Sequence, residues 1–245
     1  MNNGKYTYCF IEGRFTEKLD IMGMGNHGKV YFISCENITA AVSDTPLVKY
    51  DPSRKNAAMH ANIISELMKY SNIVPCNFGN VFKCKEDLLT FMKETYKYIW
   101  ANLEKVRNKT ELGLRMFWKK NAFTEEVETK DIKKFRDSIT KNAESNTYYF
   151  QMELGKMVEE QVNNLRETYV KNVYRPISEN AVEAKLNESS NPMVVFNAAF
   201  LVWKEREKEF DALVGKYIDK HSDRFEFSYS GPWPPYNFVD IIPEA

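Results

Sequence analysis

Apolar positions along this chain recur at two spacings, and the changes from one to the other divide it into elements. Lys5–Ile11 is rich in aromatic and β-branched residues and predicts a first strand. Val30–Ile33 and Ala40–Ser43 predict two short strands joined by Cys35-Glu-Asn-Ile-Thr39. Asp51-Pro52 then supplies a carboxylate N-cap followed by proline at the first helical position. Ala57, Ala61, Ile64 and Leu67/Met68 form one stripe after it, which predicts a helix to about Tyr70. Residues 73–82 are extended, but Pro75 and Gly79 make them irregular, as in an edge strand with a bulge. A second helix over Lys85–Val106 places Leu88/Leu89, Met92, Tyr96, Ile99 and Leu103 on one face. The order strand, two strands, helix, strand, helix predicts an α+β layer, with helices on one side of an antiparallel sheet.

After the polar break Arg107–Thr110 the pattern restarts, and a domain boundary is placed there, giving 1–107 and 108–245. Leu112, Leu114, Met116 and Trp118 alternate on one face of a new strand. Residues 124–145 are charge-rich, with Ile132, Phe135 and Ile139 as a thin inner seam, and the carboxylates Glu125, Glu126 and Glu128 read as a solvated helix face. A long helix over Tyr148–Tyr174 follows, ended or kinked by Pro176, with a shorter helical stretch on to about Leu186. Together these make a helical projection over about 124–188. Met193–Trp203 has no polar alternation, so it predicts a strand covered on both faces. Phe210, Leu213, Val214, Tyr217 and Ile218 mark a clear amphipathic helix from Lys204 to about His221. Phe225–Tyr229 closes the series, so the back half reads as a ferredoxin-like order with a helical insertion.

Three prolines and three aromatics fill the ending, Ser230-Gly-Pro-Trp-Pro-Pro-Tyr-Asn-Phe238. Proline removes backbone donors, so this piece cannot run as an inner strand. It predicts a rigid lock across the preceding domain with Trp233 buried, or alternatively an exposed aromatic docking site.

Composition narrows the function classes. Lys plus Arg number 34 and Asp plus Glu also 34, so no overall field draws in nucleic acid or anionic lipid. The longest apolar run falls well short of the roughly 20 residues of a membrane span, and no signal peptide is evident at the start. Cys9, Cys35, Cys76 and Cys84 lack C-x-x-C spacing and predict reduced core thiols in a cytosolic protein.

The candidate chemistry is sparse. Gly23-x-Gly25-x-x-Gly28-Lys29 matches a dinucleotide fingerprint and most of a P-loop, yet both need a strand before and a helix after. Here a strand follows, and Val30 stands where a magnesium-binding Ser or Thr would be. His60 falls near the inner face of its helix and reads as a hydrogen-bonded core residue, or as half of a Cys–His pair with Cys76 or Cys9. No metal-ligand spacing links His27, His60 and His221 to each other or to the cysteines. The residues therefore predict no catalytic group, cofactor or metal, the alternative being a ligand-sensing or enzymatic protein using the Gly23–Gly28 loop and His60.

Several stretches in register resemble the gas vesicle protein F and L family. Tyr8-Cys-Phe-Ile-Glu12 and Ala40-Ala-Val-Ser-Asp-Thr-Pro46 are similar to its opening motifs. Tyr50-Asp-Pro-Ser-Arg-Lys-Asn56 leading to His60, and Val74-Pro-Cys-Asn-Phe-Gly-Asn-Val-Phe82, are similar to its central ones. Phe196–Val202, Glu209-Phe-Asp211 and Ser230–Phe238 resemble its ending. Cys76-Asn77 departs from it, standing where a small or apolar residue is expected before Phe-Gly. The resemblance implies a non-enzymatic assembly factor or minor structural component of gas vesicles. Its implied partners are the main hydrophobic shell protein and other accessory proteins, and its implied place is the gas vesicle and the cytoplasm. It also implies two modified ferredoxin-like domains, the second with a coiled-coil-like projection. His60, Gly79, Gly231, Trp233, Pro235 and Tyr236 are the motif residues to which a structural role is assigned. A partner interface is expected in the front domain, around the Pro75–Phe82 edge (Pro75, Phe78, Val81 and Phe82) and the Gly23–Gly28 loop.

Overall fold

Strand β1 (Gly4–Glu12) carries apolar side chains on both faces, and the first sheet is built around it. The computed structural model describes residues 4–15, 19–141 and 147–241. β2 (Tyr31–Cys35) and β3 (Ile38–Thr45) form a hairpin, and β3 lies antiparallel to β1 from Gly4↔Thr45 to Glu12↔Ile38. On the other side of β1, β4 (Ile73–Pro75) pairs with Cys9–Ile11 and β5 (Val81–Phe82) with Lys5–Tyr6. A register shift between Thr7 and Cys9 interrupts the alternation of β1. It gathers Tyr6, Tyr8, Cys9 and Ile11 into one apolar cluster and leaves Phe10 in another.

Helix α1 (Arg54–Met68) covers the first cluster with Ile63, Ile64 and Leu67. Helices α2 (Lys85–Glu94) and α3 (Tyr96–Val106) cover the second with Leu88, Met92, Ile99 and Leu103. Helices therefore flank this sheet on both faces, and the one-faced layer expected from periodicity is corrected. The cause lies in β1 and β3: Ala40 and Val42 join one cluster and Ala41 the other, and a strand apolar on both sides needs two covering layers. The cap of α1 is also corrected. Ser53 accepts from the Asn56 amide, while Asp51 only offers its carbonyl to the Asn56 side chain. The single helix expected over 85–106 breaks at Thr95, whose hydroxyl donates to the Phe91 carbonyl at 2.6 Å.

The second sheet has the order β7-β8-β6-β9. β6 (Lys109–Trp118) leads into α4 (Lys120–Val127), α5 (Lys130–Lys141) and α6 (Thr147–Tyr169). The one helix expected over 124–145 is instead two, broken at Glu128–Thr129, and its last residues lie outside the described ones. A single π-helical turn, Val170–Tyr174, joins α6 to the short α7 (Arg175–Ser178). The stretch expected to stay helical to Leu186 is instead strand β7 (Glu183–Asn187), paired antiparallel with β8 (Val194–Trp203) from Glu183↔Leu201 to Asn187↔Asn197. Its polar sequence has little strand preference of its own, and pairing with the apolar β8 overrides that. α8 (Glu207–His221) and β9 (Phe225–Trp233) complete the sheet. Leu112, Leu114, Met116 and Trp118 of β6 meet Phe196, Ala198, Phe200 and Val202 of β8 in one core. Val173, Ile177, Phe210 and Val214 of the helical segments fill that core.

Contacts divide the chain into Met1–Glu111 with Pro232–Ala245, and Leu112–Gly231. The expected division at 107 kept residues 232–245 with the back half. The difference has a polar cause. The Asn237 backbone and side-chain N–H groups both donate to the buried Glu111 carboxylate, at 2.9 and 2.5 Å. Asn102 and the Asp240 backbone exchange a second pair of bonds at 2.6 and 3.2 Å.

Candidate functional site

The first sheet has an interrupted edge. β4 and β5 take separate stretches of β1, and the five residues between them, Cys76–Asn80, bow outward. The Cys76 amide still donates to the Tyr8 carbonyl at 2.8 Å, and the Asn80 carbonyl accepts from the Thr7 amide at 2.9 Å. Gly79 makes the turn at φ +86°, where a side chain would be strained although the space is open. A pocket of about 460 Å³ opens along this edge. Pro75, Phe78 and Phe82 form one wall, and Tyr236, Val239 and Ile241 of the C-terminal strap form the other. Phe91 of α2 also lines it, packing on Phe82 with ring centroids 5.2 Å apart.

His60 stands behind the pocket, buried on α1, and joins both walls. The Gly79 amide donates to the Tyr6 hydroxyl at 3.0 Å, and that hydroxyl lies 3.0 Å from His60 Nδ1. His60 Nε2 lies 3.1 Å from both the Cys76 carbonyl and the Tyr236 hydroxyl. One neutral tautomer satisfies every bond: Tyr6 donates to Nδ1, and Nε2–H is shared between the Cys76 carbonyl and the Tyr236 oxygen. Burial lowers the imidazole's proton affinity, and the bond to the Cys76 carbonyl only partly opposes this. Burial also pushes the Cys76 thiol up to about 12, and Nε2 meets the carbonyl of that residue. A nucleophilic cysteine needs the reverse shift, so the Cys–His pair weighed from sequence has no support in this geometry. Among the described residues no group of three or more His, Cys, Asp or Glu could hold a metal ion.

The glycine loop closes on itself. Met22 and Lys29 bridge antiparallel, Gly23 N donates to the Gly28 carbonyl at 2.7 Å, and Val30 N to the Ile21 carbonyl at 2.9 Å. The Tyr8 hydroxyl accepts from the Met24 amide at 2.6 Å and bonds Ser43 at 2.8 Å, pinning the loop to the sheet. Strand β2 follows it, so no helix N-terminus faces a phosphate there.

Of the residues singled out from sequence, Pro75, Phe78, Gly79, Phe82 and Tyr236 line the pocket. Val81 lies beside them, packed partly against the α1-side core. Gly231 sits in β9 at φ +140°. Pro235 is buried, but Trp233 is 47% exposed, which corrects the expected aromatic plug. Strand β9 runs through Pro232 to Trp233, which an edge strand permits, and Phe238, only 2% exposed, takes the place of the plug. Sequence reasoning missed Glu111, Asn237 and Asn102, because a lone carboxylate and two amides carry no periodic signal.

This arrangement describes a two-unit α+β protein with an aromatic-walled pocket at a sheet edge, lined by no nucleophile or metal set among the described residues. The family model for gas vesicle synthesis protein GvpL/GvpF matches residues 4–240, and the chain belongs to that family. It is 23% identical to gas vesicle protein F1 of Halobacterium salinarum, over 98% of this chain and 95% of that relative. It is 25% identical to gas vesicle protein F of Nostoc sp., over 98% of this chain and 100% of that one. The crystal structure of GvpF from Anabaena sp. matches with a TM-score of 0.82 at 21% identity, covering 97% of this chain and 98% of that one. That of GvpF from Microcystis aeruginosa matches with 0.82 at 19%, covering 97% and 99%.

Proposed function

We propose that this chain is a non-enzymatic accessory protein of gas vesicles that binds the main hydrophobic shell protein, as an assembly factor or a minor structural component, in the cytoplasm and on the vesicle. The observation that carries this reading is the interrupted edge at Pro75–Phe82. An edge strand offers backbone groups to an added strand, and the adjoining pocket offers rings to an apolar side chain. Val81, beside Phe82 on β5, belongs to the same proposed interface. Other accessory proteins of the vesicle are further partners in this reading, with the α5–α6 hairpin, where Phe135 meets Phe150, as a coiled-coil-like arm. The strand order β7-β8-β6-β9, with helices inserted after β6 and β8, supports a ferredoxin-like second unit.

The test is co-purification of the full chain with the shell protein, compared with Asn77→Arg and Phe78→Ala variants whose melting temperatures are measured in parallel. Loss of binding at little-changed melting temperature is expected, together with failure to restore vesicles in a deletion strain of a vesicle-forming host. Undiminished binding by both variants, or full restoration of vesicles, refutes this interface.

A further inference from the structure

We infer that His60 is a pH-sensitive catch for the C-terminal strap: neutral, it holds residues 234–241 against the first sheet, and protonated, it lets them go. The inference stands on the first unit alone and is independent of the shell-protein reading.

The strap meets both helix-covered faces of the sheet. Tyr236 reaches His60 beside the core that α1 covers, while Val239 and Ile241 pack on the core that α2 and α3 cover. Its other anchors include Phe238 and the polar bonds to Glu111 and Asn102. His60 is the residue through which the strap, the bowed segment and β1 meet: its ring bonds Tyr236, the Cys76 carbonyl and Tyr6, and Tyr6 holds Gly79.

Every acceptor in that chain is committed when the ring is neutral. A second proton on the ring turns Nδ1 into a donor aimed at the Tyr6 oxygen, which already accepts from Gly79. The Tyr6 hydroxyl proton then loses its acceptor in an apolar core, where an unmet donor is costly. Among the described residues, the groups facing the ring do not balance the new charge. Facing it are Tyr6 and Tyr8 from β1, Cys76 and Phe78 from the bowed segment, and Tyr236 from the strap, with Cys9 close by. The residues one turn away on α1 are Asn56, Ala57, Ile63 and Ile64. All are uncharged at neutral pH, and burial holds both Tyr6 and Tyr236 in their protonated forms.

The cheapest relief is to admit water from the exposed side. Tyr236 forms that side, at the pocket's outer wall, with over a third of its surface exposed. The strap carries one large buried side chain, Phe238, over residues 234–241, whereas β1 and α1 contribute rows of side chains to the core. Opening therefore takes the strap first. The sign follows from linkage. The folded ring has the lower proton affinity, so the strap is fully held above the ordinary histidine value of about 6.5 and loosens as pH falls below it.

Hydrogen exchange on the full chain between pH 7.5 and 5.0, corrected for intrinsic rates, tests this on a strap peptide and a β1 peptide. In the wild type, strap protection is expected to fall by up to about tenfold per pH unit below about 6.5 while β1 protection holds. His60→Gln keeps a donor and an acceptor but cannot titrate, and its strap protection should be flat. Tyr236→Phe removes the strap's bond to the ring and, should the first variant not fold, carries the test alone: its strap should be less protected at pH 7.5 and respond less to pH. A pH response retained by these variants assigns the effect to a group other than His60 and overturns the inference. So does a flat wild type, or loss of strap and β1 protection together.

Discussion

Phe238 and Trp233 invert the expectation that the larger ring is the plug, and their truncations should separate clearly. Phe238 keeps 2% of its surface exposed and Trp233 47%. Truncating a buried phenylalanine to alanine costs about 3–5 kcal/mol, the removed transfer energy plus the cavity left behind. The strap is held by Phe238 and a few polar bonds, however, and can let go instead of holding a cavity open. The loss is then capped by what the docked strap itself contributes, which places Phe238→Ala near the lower figure, about 3 kcal/mol. Trp233→Ala removes a ring already half in solvent and should cost about 1 kcal/mol or less. With a urea slope of about 2 kcal/mol per molar, 3 kcal/mol moves the midpoint down by about 1.5 M. The two units need not unfold together, so the midpoint should be read from exchange protection of β1 amides at each urea concentration. Equal shifts for the two variants, or a larger one for Trp233→Ala, refute the assignment of the plug.

Two further outcomes follow from the first sheet. A Cβ on Gly23 would lie 2.2 Å from Ser43 Cβ, whereas the nearest atom to a Cβ on Gly28 is 3.8 Å away. Gly23→Ala should therefore cost about 1–3 kcal/mol in thermal unfolding and Gly28→Ala well under 1, and equal costs would contradict the loop packing. Burial pushes the Cys9 thiol well above its ordinary value and Cys76 up to about 12. The sign is that of an acid whose folded affinity for its proton is raised. Stability is full below the unfolded value and declines as pH rises above about 8.5. Neither thiol should react with iodoacetamide in the native chain at pH 8, and modification of either without unfolding would refute its burial.

Most elements of this fold can be read from local pattern because each presents an unbroken period. α8 shows Phe210 and Val214 buried where their spacing puts them, and β8 is buried along nearly its whole length, as its lack of polar alternation implies. What fails to show is set by partners far away in sequence. β7 is a strand because β8 needs a neighbour, and the polar stretch Glu183–Asn187 gives no hint of it. The membership of the two cores also turns on a register shift at Thr7–Cys9, which brings Cys9 and Ile11 to the face of Tyr6 and Tyr8. Strict alternation puts those two on the other face and leaves Phe10 with the tyrosines.

The same distinction governs the polar sites. His60 is legible as a core histidine because its helical position sets its burial, yet three of its partners lie 16, 54 and 176 residues away and no spacing rule links them. Glu126 goes further. Read as part of a solvated acidic run, its carboxylate is 8% exposed. It takes bonds from Trp118 Nε1 at 3.0 Å, the Tyr169 hydroxyl at 2.5 Å and the Arg224 guanidinium at 2.8 Å. Those donors come from β6, α6 and the turn before β9, so one carboxylate ties the base of the helical insertion to the sheet. A buried charge is tolerated only when it is met by donors of this kind, and here they arrive from three separate elements. Its neighbours Glu125 and Glu128 have the same side-chain chemistry, so composition cannot tell the three apart. What selects Glu126 is its place on α4, which turns it toward Trp118, and that selection exists only once the sheet has formed.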